Sequence, residues 1–335
     1  MIEKKVIVTG GAGFIGSHLV DRLITEGYYV YIVDDLSLGK LNNLKKWTTA
    51  ESEYHDFEAM YRYSPGKRPR YKLIDFDITN PMVSSPWFGD IDEGEVECIF
   101  HLAARMDVMS SFKDPYDDGM TNYIGTLNVL EYARKIKCNK VILRSSFTVY
   151  SGNNRQPVIE DASKKPISPY ALHKYASERI LYLYNDHYGM KNAVFRLFNT
   201  YGPRQDPESV YAGVVMRFLD SARQKKDITI YSDGEQTRDF IYVEDVAEAL
   251  YQGFRQGASG VYNVGTGKET TINDLAQLVR EVTGMDINII RKPERRGEIT
   301  RSVADVTRIK NELGFEAPHD LKKGLEKTWE WFLEQ

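Results

Sequence analysis

Apolar and polar residues alternate along the first part of the chain in two rhythms. Val6–Thr9 is a short β-branched run closed by Gly10, the pattern of a buried strand. From Ile15 to Thr25, the apolar positions Ile15, Leu19, Leu23 and Ile24 fall broadly on one face of a helix, and Gly27 ends it. Tyr29–Val33 is a second apolar strand stopping at Asp34. Together they predict a complete βαβ unit of about 30 residues with a right-handed crossover. Further strands are predicted at Tyr71–Ile74, Cys98–Leu102, Val141–Ser145 and Ala193–Leu197, with helices between them, notably over Met120–Lys135 and Pro169–Asp186. This alternation predicts an α/β protein built on a doubly wound parallel sheet of the Rossmann type.

Two regions break the rhythm. Residues 48–70 are polar, tyrosine-rich and basic at their end, which predicts a solvated inserted loop with one short helix. Beyond residue 200 the pattern changes to a Gly/Pro-containing loop at Tyr201–Asp206, a strand at Val261–Val264, a helix at Thr271–Thr283 and a strand at Ile287–Ile290. Thr271 with Asp274 has the spacing of a capping box. A closing amphipathic helix is predicted over Asp320–Leu333, with Trp329 and Phe332 sharing a buried face and Trp331 pointing elsewhere. The expected organisation is a dinucleotide-binding domain over 1–198, completed by about 239–265. A smaller C-terminal α/β substrate domain takes 199–238 and 266–335.

Composition narrows the function. The chain has 335 residues, enough for two sub-domains. A net charge of −4 argues against a nucleic-acid or anionic-membrane binder. No apolar run approaches the roughly 20 residues of a membrane helix. The sequence enters a strand at once, which predicts no leader, and Cys98 and Cys138 are the only cysteines, too few for a disulfide framework or a thiolate metal site. A cytoplasmic enzyme without a metal is expected.

The first turn carries the chemistry of a cofactor. It reads Gly10-Gly11-Ala12-Gly13-Phe14-Ile15-Gly16, with glycines spaced three apart between a strand and a helix. Gly10 permits the tight turn, Gly13 lets a pyrophosphate approach the backbone, and Gly16 lets the helix pack on the strand. Helix N-terminal amides then face the phosphates. Asp34, at the end of the second strand, accepts from ribose hydroxyls and repels a 2′-phosphate, with Asp35 adding to the repulsion. That favours NAD over NADP.

Tyr170 and Lys174 are four apart on a predicted helix, so they project from one face, and Pro169 suits its entry. A tyrosine is a poor base at its free pKa of about 10, and a neighbouring ammonium favours the phenolate. Ser146 follows a strand at the carboxyl end, where open α/β sheets place their sites. Its hydroxyl can hydrogen-bond a reacting substrate oxygen.

These residues sit in longer motifs: TGGAGFIGSHL (9–19), Asp77-Ile78, HLAA (101–104), SSFTVY (145–150), SPYALHK (168–174), FNTYGPRQ (198–205), TRDFIYVEDVAEA (237–249), YNVGTG (262–267) and RRGEITRSVAD (295–305). In these motifs, spread over nearly the whole chain, the sequence resembles the extended short-chain dehydrogenases/reductases. The branch is that of the nucleotide-sugar epimerases and dehydratases, and the likeness is greatest to UDP-glucose 4-epimerases. The resemblance implies NAD as cofactor, contacted by Gly10, Gly13, Phe14, Ile15, Gly16, Asp34, Leu102, Ala103 and Ala104, with Asp77 and Ile78 flanking the adenine. It implies Tyr170 as acid/base, Lys174 as its partner and ribose ligand, and Ser146 as the hydroxyl-orienting residue. It implies Asn199 on the substrate, Arg238 and Arg295 on its diphosphate, Glu298 on the nucleoside ribose and Thr148 beside the sugar. A homodimer formed through the 120–135 and 169–186 helices is also implied, and Leu181, Leu183 and Tyr184 suit either that contact or the chain's own core.

Branches of the family share an opening oxidation of the sugar, usually at C4, and differ in the later steps. In the resemblance, 4,6-dehydratases carry an Asp-Glu pair just after the catalytic Ser/Thr, where this chain has Phe147 and Thr148. Glucuronate decarboxylases carry Glu, and 3,5-epimerases Cys, at the place of Thr148. The chemistry that needs no further acid or base is that of a UDP-sugar 4-epimerase working through a transient 4-keto sugar. The alternatives are another sugar-modifying member (4,6-dehydratase, uronate decarboxylase, 2-epimerase or reductase) and a non-catalytic NAD-binding sensor. Phe147, Ser151 and Met106 depart from the usual pattern and point to an unusual sugar.

Overall fold

The computed structural model describes residues 4–47, 71–150, 154–207, 213–293 and 300–335. The 48–70 segment, together with Ser151, Arg295 and Glu298, lies outside them. The apolar runs form β1 (Lys5–Thr9), β2 (Tyr29–Asp34), β3 (Tyr71–Asp75), β4 (Val96–His101), β5 (Val141–Ser146) and β6 (Ala193–Leu197), and a seventh strand spans Gly260–Val264. They make one sheet in the order Gly260–Val264, β6, β5, β4, β1, β2, β3. β1 pairs in parallel with both β2 and β4, β2 with β3, and β4 with β5. The chain winds outward from β1 to β3, returns to β4 and winds the other way. The carboxyl ends of β1 and β4 therefore form the switch point, where doubly wound sheets bind ligands.

The two faces of the sheet are covered differently. Ile7, Ile99, Val141 and Leu143 pack in one buried cluster with Val129, Leu130 and Leu181, so the Gly125–Lys135 and Pro169–Tyr188 helices lie on the odd-numbered face. The even-numbered face meets helix α1 (Phe14–Thr25). There, a Cβ on Gly11 would fall 2.8 Å from Ile32 Cγ2 and 3.4 Å from Val20 Cγ2.

Several expectations are corrected. The single helix predicted over Met120–Lys135 is a short helix Pro115–Gly119, a widened π-turn Met120–Ile124 and then Gly125–Lys135. The side-chain amide of Asn122 is pinned there to Arg105 O (3.1 Å) and Asp118 Oδ2 (2.9 Å), and a Cβ on Gly125 would meet Ile78 Cδ1 at 2.6 Å. The strand expected at Ile287–Ile290 runs Ile289–Lys292, parallel to Ile228–Tyr231. Of the three positions left open between a subunit contact and the core, Leu181 and Tyr184 are core residues at 0% and 6% exposure, whereas Leu183 is exposed.

The chain divides into two compact units. One comprises Met1–Val149, Pro166–Phe195 and Ala247–Val261, the other Tyr150–Lys165, Arg196–Val246 and Tyr262–Gln335. Tyr150–Lys165, expected in the first, belongs to the second because its polar groups are tied there. Tyr150 Oη donates to Asn263 Oδ1 (2.6 Å), Asn263 N–H donates to Glu160 Oε1 (2.9 Å), and buried Arg196 donates to the Glu160 carbonyl (2.9 Å). The same unit holds Ile272–Thr283, capped by Thr271 Oγ1 on Asp274 N–H (2.9 Å), and the closing helix Leu321–Leu333, whose Trp329 and Phe332 are buried. Among the described residues no helix is long and apolar enough to cross a membrane.

Candidate functional site

The glycine turn is built by close backbone approach. Gly10 takes φ +68°, and its N–H donates to Val33 O at 2.7 Å. A Cβ on Gly10 would lie 2.7 Å from Ala103 N, and one on Gly16 would lie 2.0 Å from Gly10 O. These two glycines are demanded by the fold itself. At Gly13 an added Cβ meets only Gly10 O, at 3.1 Å, so its other side is open to a ligand. Gly13 caps α1 without any side-chain hydrogen bond. The first amides of α1, including Phe14 and Ile15, therefore have no capping side chain, which fits a phosphate there.

Asp34 is 6% exposed and accepts from Ala12 N–H (2.9 Å) and Leu36 N–H (3.0 Å). Burial pushes its carboxyl above the ordinary carboxylate range, and these two amides pull it back. It thus braces the glycine turn, a duty the sequence did not announce. Leu102 N–H donates to Thr9 O (3.1 Å) and Ala103 N–H to Thr9 Oγ1 (3.3 Å), fixing Leu102–Ala104 at the end of β4. Asp77 accepts from the Thr79 N–H and hydroxyl, both at 2.8 Å, while Asn128 Nδ2 donates to the Ile78 carbonyl, also at 2.8 Å.

The Pro169–Tyr188 helix starts at Ser168, whose Oγ accepts from Ala171 N–H at 3.1 Å. Tyr170, Lys174 and Glu178 then follow one another on one face and are all buried. Glu178 accepts from Ser145 Oγ at 2.5 Å, tying this helix to the end of β5 beside Ser146. Ser146 Oγ in turn accepts from the Thr148 N–H (3.2 Å) and hydroxyl (3.0 Å). Burial, reinforced by the Arg144 charge and opposed by Glu178 and Asp118, brings the Lys174 ammonium down to about 7.

A directed hydrogen-bond chain, not foreseen from the sequence, runs beneath these residues. Thr9 Oγ1 lies 2.8 Å from His101 Nδ1 and His101 Nε2 lies 3.0 Å from Thr126 Oγ1, which donates to Asn122 O at 2.7 Å. The Asn122 carbonyl can only accept, so His101 Nε2 carries the proton and Nδ1 accepts from Thr9. Burial brings the His101 pKa down to about 3, keeping the ring neutral. The HLAA motif marked the strand end, but no sequence pattern links His101 to Thr9 and Thr126.

Lys174 has a consequence for stability. Below pH 7 it is charged in folded and unfolded chains alike, and the cost of burying that charge is fully present. Between about 7 and 10.4 the folded protein holds a neutral amine while the unfolded chain keeps its proton, so this cost is relieved as pH rises. Lys174→Met is expected to raise the Tm of the cofactor-free protein by about 5 °C at pH 6. That advantage should shrink by pH 9. A pH-independent difference in scanning calorimetry would contradict the lowered lysine.

In the second unit, Asn199 opens the Asn199–Tyr201 strand, parallel to Phe240–Tyr242, and its N–H donates to Asp239 O at 3.0 Å. Asn199 Oδ1 is buried with no hydrogen-bond partner among the described residues. Next to Asp239, Arg238 lies on a two-residue strand against Thr270–Thr271 and donates to Thr237 O at 2.8 Å. The structure thus brings Ser146 to Thr148, aligns Tyr170 with Lys174, and sets Asn199 beside the Arg238 strand.

Comparison with known proteins agrees with this geometry. The family model described as GDP-mannose 4,6 dehydratase matches residues 7–328. The UDP-glucose 4-epimerase of Thermotoga maritima, solved with UDP-glucose, is 37% identical, with 98% of this chain and 99% of that one covered and a TM-score of 0.87. The UDP-glucose 4-epimerase of Thermus thermophilus, solved with NAD, is 31% identical, with 98% and 99% covered and a TM-score of 0.83. UDP-glucuronic acid decarboxylase 1 of Danio rerio is 31% identical over 335 residues, covering 98% of this chain and 73% of that protein. These relatives differ in the reaction they are named for, and each is named for an action on a nucleotide sugar. The chain belongs to the extended short-chain dehydrogenases/reductases, in the branch of nucleotide-sugar epimerases and dehydratases.

Proposed function

We propose that this protein interconverts the C4 epimers of a UDP-linked sugar, using NAD that it regenerates in each turnover. The observation that carries this is at the end of β5. After Ser146 come Phe147 and Thr148, and both donors of Thr148 are turned to Ser146 Oγ. The branches that dehydrate or decarboxylate need a further acid or base here, and neither side chain is one.

The roles are those the resemblance implies. Gly10, Gly13, Phe14, Ile15, Gly16, Asp34, Asp77, Ile78 and Leu102–Ala104 hold the dinucleotide, with Lys174 at its ribose. NAD, when bound, supplies the hydride acceptor. Tyr170 takes the proton of the C4 hydroxyl as the sugar is oxidised and returns it when the sugar is reduced. Ser146, with both lone pairs occupied by Thr148, keeps its proton for the sugar oxygen. The buried Lys174 supplies positive charge beside Tyr170 in its protonated form. Asn199, Arg238, Arg295 and Glu298 bind the nucleoside diphosphate. Guanidinium forks suit its phosphates. A cytoplasmic homodimer belongs to the same reading.

The test is to incubate the purified protein, with no cofactor added, with UDP-galactose, UDP-N-acetylglucosamine or UDP-glucuronic acid and follow the anomeric protons by NMR. Appearance of a C4 epimer is expected from one of them. A 4-keto or decarboxylated product would overturn the epimerase in favour of a sister chemistry. No change with any of them, even with NAD supplied, would overturn it for these sugars.

A further inference from the structure

Among the described residues, two buried cations at this end of the sheet have no hydrogen-bond acceptor, Lys174 and Arg144. Arg144 stands on β5, two residues before Ser146, and is 9% exposed. Its Nε is buried with no hydrogen-bond partner, and among the described residues no acceptor, carboxylate or ring engages its guanidinium. Three other buried cations are provided for: Lys140 donates to Ala258 O, Lys72 to Asp90 Oδ2 (2.7 Å) and Arg196 to Tyr150 Oη (2.8 Å). A guanidinium taken from water with nothing in exchange is costly, so it signals a partner that arrives later.

Position says what that partner is. β5 pairs with β4 through His101–Leu143, so the next step of the register sets Arg144 level with Leu102. Leu143 lies in the odd-face cluster and Ser145 reaches Glu178 on that same side. Arg144 therefore leaves the sheet from the opposite face, on which α1 packs over β1 and β2 and the Val243–Arg255 helix sets Phe254 on Phe100 of β4. Its charge also reaches Lys174 and His101, helping to hold both pKa values down. Arg144 thus stands near the carboxyl end of the sheet, with Lys174 and His101 within reach of its charge. A nicotinamide ring, positive when oxidised, repels a cation. The anionic groups of NAD are its phosphates, and a guanidinium fork matches their oxygens.

We propose that Arg144 is a cofactor-binding residue whose guanidinium donates to a phosphate oxygen of the bound dinucleotide. This rests on the NAD-dependent reading above. It makes Arg144 a residue that costs the empty protein stability and returns it on binding.

The test is calorimetry on the full chain freed of cofactor, with wild type, Arg144→Met and Arg144→Lys. In Arg144→Met, Kd for NAD and for ADP-ribose, which shares the diphosphate, is expected to rise about thirtyfold. Kd for adenosine, which carries no phosphate, should stay within about twofold. Arg144→Lys should fall between, since it keeps the charge and loses the fork. The Tm of cofactor-free Arg144→Met should rise by about 3 °C while its NAD-induced gain shrinks. A lower cofactor-free Tm with unchanged Kd for NAD would make Arg144 structural and overturn the proposal. So would a loss for NAD with none for ADP-ribose. If wild type binds no NAD, the NAD-dependent reading itself fails and this one with it.

Discussion

Tyr170→Phe is expected to lower kcat for epimerisation about a thousandfold, within the range for removing one acid/base group, while NAD binding stays within a few-fold. The ring keeps its buried place on the Pro169–Tyr188 helix, and the substitution removes only the hydroxyl. The fold therefore has little reason to respond. The loss should be specific to Tyr170 because the other hydroxyl at the site is committed elsewhere. Ser146 Oγ receives two donors from Thr148, which leaves it able to donate and poorly placed to take a proton. The measurement is turnover by NMR alongside NAD content of the purified variant. A kcat within tenfold of wild type would remove Tyr170 from the acid/base role. A variant that loses NAD as well would make the residue part of the cofactor site first.

How much of this was readable beforehand depends on whether the cause is local. The β1-turn-α1 unit was legible because each residue states a local demand: β-branched runs want a strand, and spaced glycines want a tight turn. Tyr170 and Lys174 were legible for the same reason, since four residues on a helix is one face. The π-turn at Met120–Ile124 was not, because the apolar rhythm passes through it unbroken and the widening answers to Asn122, Asp118 and Ile78. Asp34 was read only as a ribose acceptor, yet its carboxylate also holds the turn it sits beside. Arg144 and His101 were silent because burial without a partner, and a relay between three elements, are properties of the assembled sheet. Arg295 and Glu298 entered through resemblance alone.

The glycines of the turn make the last and sharpest separation of fold from function. In Gly16→Ala the new Cβ would sit 2.0 Å from Gly10 O and 2.8 Å from both Gly10 C and Gly11 Cα. All three are backbone, in a turn already fixed by Gly10 N–H on Val33 O, so nothing soft can yield. Such overpacking is expected to destabilise the cofactor-free protein by about 3 kcal/mol and to lower its Tm by about 6 °C. Gly13→Ala meets only Gly10 O, at 3.1 Å, with φ −75° that any residue adopts. The cofactor-free protein should therefore keep its stability within about 1 kcal/mol. The methyl, however, stands where a diphosphate must approach the first turn of α1, and NAD affinity should fall about a hundredfold. Thermal unfolding of the two empty variants, followed by NAD titration of each, reads both effects. If Gly13→Ala bound NAD as wild type does, the open side of Gly13 would not be the phosphate path. The dinucleotide would then have to be held from the β4 and β5 ends alone.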